Sequence, residues 1–372
     1  MMQFFRTTSV ELSKIFKRKS TYVFAILLFV LALIVSGLNY YTLTVIMPNM
    51  KKMSVEFNEK MAQDDSLTEE ERQEIEMAFN ELSEKEGPKN QEILESLRLE
   101  LSDLEKMKKQ ESPDYDETTY RNRKNQLTVL EYRLDNGLTK LDDKYNPRGF
   151  DYDGEFSNSW ENLSTKPIYI TIIFIILASI LSMQVAGEFE NGTIKGVLMK
   201  PGSRLSILAA KFSAVLLTGF ILQVYNYFLH LLLDAVFFGF GNMNKTIVFA
   251  IAGKAYALPI IVYTILLYLL STISLIMPLS MVLLFAVSTR SNAGSIAISL
   301  GIYMLVNSII IALSQNFKWL RFTPFVHMNL ENYLLSEISV PGTGLLYSAV
   351  MGIIYATIFM IASAFIFDKR DV

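Results

Sequence analysis

The chain has 372 residues, 51% of them hydrophobic and only 19% charged, whereas a soluble domain carries ~25% charged residues. The net charge of −3 hides an uneven distribution, because 47 of the 71 Asp, Glu, Lys and Arg residues fall within 47–166 and the other 252 residues share 24. This is the pattern of a membrane protein with one polar insert, and the absence of cysteine excludes disulfides, thiol catalysis and Cys-ligated metal sites.

Residues 1–20 read as a cytoplasmic in-plane helix. Phe5, Leu12, Ile15 and Phe16 fall near one face, and Arg6, Lys14, Lys17 and Arg18 take the rest. Such a helix lies at headgroup level with its bases toward anionic lipid. The alternative is a disordered basic leader that only sets topology. Residues 21–46 then form a first apolar run, too long for a signal-peptide core and followed by no obvious cleavage site, hence a retained span.

Six runs are long enough to cross a hydrocarbon core: Thr21–Ile46, Pro167–Gly187, Leu205–Phe237, Ala255–Ser288, Gly294–Leu313 and Gly344–Phe367. Backbone polar groups cannot stay unpaired in lipid, so each is expected to be helical. The third and fourth exceed one crossing, and Pro259 and Pro278 predict a kink in the fourth. Twelve Lys and Arg residues lie at one end of these spans and four in the short loops at the other. The excess places both termini in the cytoplasm and the 47–166 insert outside.

The insert carries 29 acidic and 18 basic residues. Ser66 with Glu69 predicts a capped helix presenting Ile75, Ala78, Phe79 and Leu82. Leu94, Leu97, Leu101 and Leu104, then Tyr120, Leu127, Leu130, Leu134 and Leu141, keep a heptad rhythm on either side of the turn "QESPDYDE". Two antiparallel helices with a third alongside satisfy this pattern. The stretch "NPRGFDYDGEF" reads as irregular. The domain is either a platform for an extracellular ligand or partner, or a solvated stalk.

Between the second span, 167–187, and the bundle of 205–372 lies a polar knot, 188–204: "EFENGTIKGVLMKPGSR". Asn191-Gly192 is a turn signal, Thr193 a fair cap for a short helix with Ile194, Val197 and Leu198 on one face, and Lys200-Pro201-Gly202 a stop. Ser203 caps the third span, with Arg204 and Lys211 at its start. A plain connection needs far fewer residues. Glu188 and Glu190 open the knot. It reads as a stiff element for contact with a soluble partner, or as a spacer.

The series Glu188, Gly192, Thr193, Pro201, Ser203, Arg204 and Lys211 resembles the segment that follows the second span in permease subunits of ABC-2 type transporters. The in-plane helix, six spans and large first loop extend the resemblance over most of the chain. It implies that the knot, with Glu190 and Lys200, is a coupling helix seated in a groove of a separate ATP-binding subunit. It also implies a second permease copy or a related permease, and outward movement of hydrophobic or amphipathic cargo such as an antimicrobial peptide, a drug or a lipid. The competing expectation is a membrane sensor or scaffold that binds a ligand through 47–166. No phosphate loop G-x-x-x-x-G-K-[ST] occurs, since Gly253-Lys254 is followed by Ala255. ATP and Mg²⁺ are therefore expected on the partner and no cofactor in this chain. No nucleic-acid partner is expected. The Lys, Glu and Asn content suits a Gram-positive cell membrane.

Within the third span, Gln223, Asn226, His230 and Asp234 form one stripe, expected either to line the transport route or to hydrogen-bond between helices. Asn307, Ser308, Ser271, Thr272 and Ser274 read as packing contacts. The loop 314–343 is aromatic and reads as an interfacial segment, a short helix dipping into the outer leaflet. The two histidines, His230 and His327, stand far apart without cysteine, so no metal site is expected.

Overall fold

The computed structural model describes residues 2–46, 48–49, 52, 89–110, 112, 115–143, 158–164, 169–194, 196, 203–314, 317–335, 340 and 342–369. Among these the chain is an all-α membrane protein with six helices long and apolar enough to span a bilayer. They cover Lys19–Ile46, Tyr169–Glu190, Arg204–Phe238, Ile260–Thr289, Asn292–Ser314 and Leu345–Lys369.

Helix α1, Met2–Lys17, meets the first span at a corner. Arg18 there is extended, and the Ile15 carbonyl at the end of the helix accepts from both the Arg18 N–H at 3.2 Å and the Thr21 hydroxyl at 2.5 Å. Helix α2, Lys19–Tyr41, buries only Thr21 and a narrow stripe of Leu28, Ala32 and Ser36 against the third span. A π-helical turn, Thr42–Ile46, continues it.

In the insert, α3 (Asn90–Lys109) and α4 (Glu117–Asp135) pack on each other. Leu97, Leu101 and Leu130 are buried as the heptad reading requires. Asp116 caps α4 by accepting from the Thr118 and Thr119 N–H groups. Leu141 differs from the expectation: α4 has ended, and Leu141 is exposed beside a turn pinned by the buried Asn90, which donates to Thr139 and Lys140. The helix expected over 66–82, its Ser66–Glu69 cap and the irregular stretch 146–156 lie outside the described residues.

A short helix α5, Ser159–Ser164, leads to α6, Tyr169–Glu190, the second span. Helix α6 is the axis of the bundle: its most apolar 18-residue stretch is 72% buried, against 12% for that of the fifth span. Ile173, Phe174, Leu177 and Leu181 are all inaccessible at its core. Helix α7, Arg204–Phe238, is the third span, 35 residues without a break and so about 50 Å long. Ser203 caps it by accepting from the Ser206 N–H. It runs past the hydrocarbon thickness, as its length required.

Ahead of the fourth span, where a continuous helix is expected from Ala255, the chain forms a two-stranded antiparallel hairpin, β1 (Thr246–Ile251) and β2 (Lys254–Pro259). Its two-residue loop, Ala252-Gly253, has both φ angles positive, at 53° and 76°. That matches the right-handed twist of the paired strands. The hairpin removes 255–259 from the fourth span. Pro259 therefore precedes a helix and kinks nothing.

The helical part of that span divides instead into α8, Ile260–Ser274, and α9, Ile276–Thr289, which break at Leu275. Pro278 explains the break, since it has no N–H for the Ser274 carbonyl and its ring crowds that carbonyl. The fifth span comprises α10 (Asn292–Gly301), a π-helical turn at Ile302–Val306 and α11 (Asn307–Ser314). The loop expected as one short helix forms three 3₁₀ turns, Lys318–Phe322, Pro324–His327 and Leu330–Tyr333. Trp319, Phe317 and Phe322 remain exposed on them. Helix α12, Leu345–Lys369, is the sixth span and packs on α9.

Helices α6 and α7 approach closely at Gly219, where a Cβ would meet Leu177 Cδ1 at 2.7 Å. Gly219→Ala is expected to destabilise the bundle by ~1–3 kcal/mol. A Leu177→Ala background should relieve that penalty, giving a favourable coupling in a double-mutant cycle followed by thermal unfolding in detergent.

Candidate functional site

The lone acid of the basic N-terminal segment, Glu11, defines the site. It sits with Thr8 and Ile15 on the buried face of α1, one turn from Ile15, and that face packs on α7. Leu12 packs at its edge, Phe16 and Lys14 are half-buried, and Lys17 is exposed. Phe5 is exposed, so it does not share the buried face.

Helix α7 brings Lys211 to this point. Its ammonium, 2% exposed, lies 2.7 Å from Glu188 Oε1 at the end of α6 and 3.2 Å from Glu11 Oε2. Lys14 closes on the other oxygen of Glu11 at 2.6 Å. Two carboxylates and two ammoniums thus join α1, α6 and α7 in a neutral cluster. A buried ammonium alone would be costly, and these partners make it tolerable. Burial pushes the Glu11 carboxyl up, but Lys211 and Lys14 outweigh it and hold the group below the usual carboxylate range.

The knot continues from this cluster. Asn191 Nδ2 donates to the Gly187 carbonyl at 2.7 Å, and Gly192 takes a φ of +67°, the left-handed geometry expected of an Asn-Gly turn. The Thr193 hydroxyl reaches back to the Glu188 carbonyl at 3.4 Å. Residues 195 and 197–202, including Lys200 and Pro201, lie outside the described residues, and the short helix expected there with them. Beyond the gap, Arg204 donates to the Asp368 carbonyl at the end of α12.

Glu190 makes a connection that spacing alone could not suggest. It accepts from the backbone N–H of Asn292 at 2.9 Å and so binds the exposed first turn of α10. Ser182 reinforces this joint by bonding both the Asn292 carbonyl and Ser295. Arg290 stacks 5.2 Å from the Phe189 ring. The foot of α6 is therefore fastened to α1, α7 and α10.

The stripe of α7 lies toward the other end. Gln223, Asn226, His230 and Asp234 are all buried. Gln223 donates to Ser271 of α8 at 2.9 Å, and the Ser36 hydroxyl of α2 donates to Asp234 at 2.7 Å. The His230 ring lies 4.1 Å from that of Tyr169 in α6. A cavity of about 10 Å³, enough for one water, is lined by Tyr169, Gln223, Asn226, Tyr268 and Ser271. The stripe thus contacts three other helices of the same protomer. Nearby, Lys245 and the buried Glu161 form an ion pair of 2.9 Å that the sequence reading missed.

Six spans, a charged joint at one end and a polar insert at the other define a multi-pass membrane protein of the transporter class. Residues 8–372 match the family described as ABC-2 family transporter protein, and the chain belongs to it. Such permeases work with an ATP-binding subunit. The chain is also similar to two proteins of Bacillus subtilis. One is the uncharacterized protein YhcI, 26% identical over 217 residues that cover 57% of this chain and 69% of that one. The other is the uncharacterized membrane protein YdbK, 27% identical over 204 residues, 54% of this chain and 76% of that one.

Two outcomes follow for the joint. Lys211→Met strands Glu188 and leaves Glu11 to Lys14 alone, and is expected to cost ~3–5 kcal/mol, while Glu11→Gln/Lys211→Met/Glu188→Gln together restore much of the stability. Because the folded pKa of Glu11 is depressed, its ionised form stabilises above the unfolded value of 4.5 and this contribution disappears as pH falls through the folded value. Melting curves should therefore separate wild type from Glu11→Gln at pH 7 and converge in strong acid.

Proposed function

We propose that the chain is the permease subunit of an ATP-driven ABC-2 exporter. Its knot, from Glu188 and Glu190 through Gly192, Thr193, Lys200 and Pro201 to Arg204, seats in a separate ATP-binding subunit that carries the ATP and Mg²⁺. The observation that carries this reading is the joint at Lys211, where the knot's first residue shares a buried cation with α1. A force applied to the knot has a direct path to α1 and α7 through that cation, and to α10 through Glu190. The absence of a phosphate loop from the sequence supports a separate energy source.

The cargo is hydrophobic or amphipathic, an antimicrobial peptide, a drug or a lipid-like molecule, and leaves the cell. A second copy or a related permease completes the pathway; the sparsely buried first, fifth and sixth spans offer surface for lipid and for that partner. The excess of basic residues at the knot end supports cytoplasmic termini in the membrane of a Gram-positive cell. In the conformation described, the Gln223–Asp234 stripe is sealed within one protomer, so it lines a route only after α7 shifts against α6 and α8.

The test is reconstitution with an ATP-binding subunit that co-purifies with this chain. Glu188→Gln or Arg204→Ala should leave insertion intact and lower cargo-coupled ATP hydrolysis at least tenfold. Normal transport by both variants in proteoliposomes overturns the assignment.

A further inference from the structure

At the end of the bundle away from the knot, a cleft of about 300 Å³ opens between α4, the β-hairpin and the start of α12. Its volume is at the lower end of small-molecule sites. Glu117, Tyr120, Arg121, Lys124 and Asn125 face it from α4, at the spacing of a single helix face. Ala252 and Gly253 face it from the hairpin turn, and Tyr333, Thr343 and Leu345 close the third side.

The charges in this wall are unequal in availability. Burial opposes ionisation of Glu117, but hydrogen bonds from Tyr115, Arg121 and Lys108 hold its carboxyl down at about 2. Its negative charge is thus already engaged. Arg121 bonds both Glu117 and the Thr343 carbonyl, which fixes the guanidinium at the cleft. Lys124 has no ion-pair partner among the described residues and lies 5.9 Å from the centre of the Tyr120 ring. One cation therefore faces the cleft without a counter-charge.

Two further features shape the cleft. Ala252 takes the left-handed backbone position that the two-residue hairpin turn requires, and its side chain is a single methyl. The methyl group leaves the cleft open. The polar wall opposite is also prearranged: the Tyr333 hydroxyl donates to Thr343 at 2.9 Å and shares a 2.7 Å bond with Ser348, which in turn bonds His327 Nδ1. The apolar remainder, Ile251 and Leu345, suits a hydrocarbon or ring.

We propose that this cleft binds a small amphiphile whose oxyanion head, a phosphate or carboxylate, pairs with Lys124 while its apolar part rests on Tyr120, Ile251 and Leu345. The site is distinct from the knot, and the proposal does not depend on transport. The acidic balance of 47–166 attracts cations at long range, but salt screens that field within about 10 Å, and contact chemistry at Lys124 decides. The head belongs either to a membrane lipid or to a soluble anion.

Calorimetric titration of the full chain in a neutral detergent decides the matter, with hexyl phosphate, hexylammonium and hexanol as probes. Hexyl phosphate should bind at least tenfold more tightly than the other two. Lys124→Gln should weaken it at least tenfold, and Ala252→Leu, which fills the cleft, should abolish it with the helical content unchanged. In the same detergent, displacement of hexyl phosphate by dihexanoyl phosphatidylglycerol but not by inorganic phosphate identifies a lipid head as the occupant, and the reverse identifies a soluble anion. The proposal is overturned by equal binding of hexylammonium or hexanol, by no binding of hexyl phosphate, or by wild-type binding in both variants.

Discussion

An ammonium group withdrawn from water at the end of a helical bundle must be neutralised where it stands. Lys211 meets that demand by drawing in Glu188 from one helix and Glu11 from another. The requirement fixes more than a side chain. It sets the rotation of α1, so that Glu11 rather than Arg6 or Lys17 turns inward. It also sets the depth at which α6 ends, because Glu188 must still be within reach. The orientation of the N-terminal helix is thus a consequence of charge burial.

The other end of the bundle solves a similar problem with different parts. Lys245 and Glu161 pair beside α5, and Ser36 donates to the buried Asp234. In both regions polar groups tie elements that are far apart in sequence, while the middle of the bundle is held by apolar packing around α6. Buried polar contacts are short-ranged and directional, so they specify register. Apolar packing supplies the larger share of cohesion and tolerates sliding.

The six spans were legible in the sequence because bilayer thickness and backbone satisfaction leave few options for a run of twenty apolar residues. The heptads of α3 and α4 were legible for a related reason, since a periodic seam has only one way to be buried. The hairpin was not. Its first strand, "TIVFAI", is as apolar as a span, its second, "KAYALP", runs directly into one, and Ala-Gly is a weaker turn signal than Asn-Gly. The site was half legible. Glu188 and Lys211 stood out as charges at the margins of apolar runs, whereas Glu11 was masked by five neighbouring bases. Its isolation as the single acid of that segment was the signal available. Glu190 met Asn292 through a backbone N–H, which no side-chain pattern records.

Helix α7 carries Lys211 near one end and Asp234 near the other, twenty-three residues apart on a helix that has no interruption. At the ordinary rise per residue this is a rod of about 35 Å. A tilt of ~5° about its middle would displace the two anchor points by about 1.5 Å in opposite directions, enough to open a hydrogen bond of ordinary length. The Ser36–Asp234 contact and the Lys211–Glu188 contact are therefore not independent of one another. A stiff see-saw cannot drop at one seat without lifting the other.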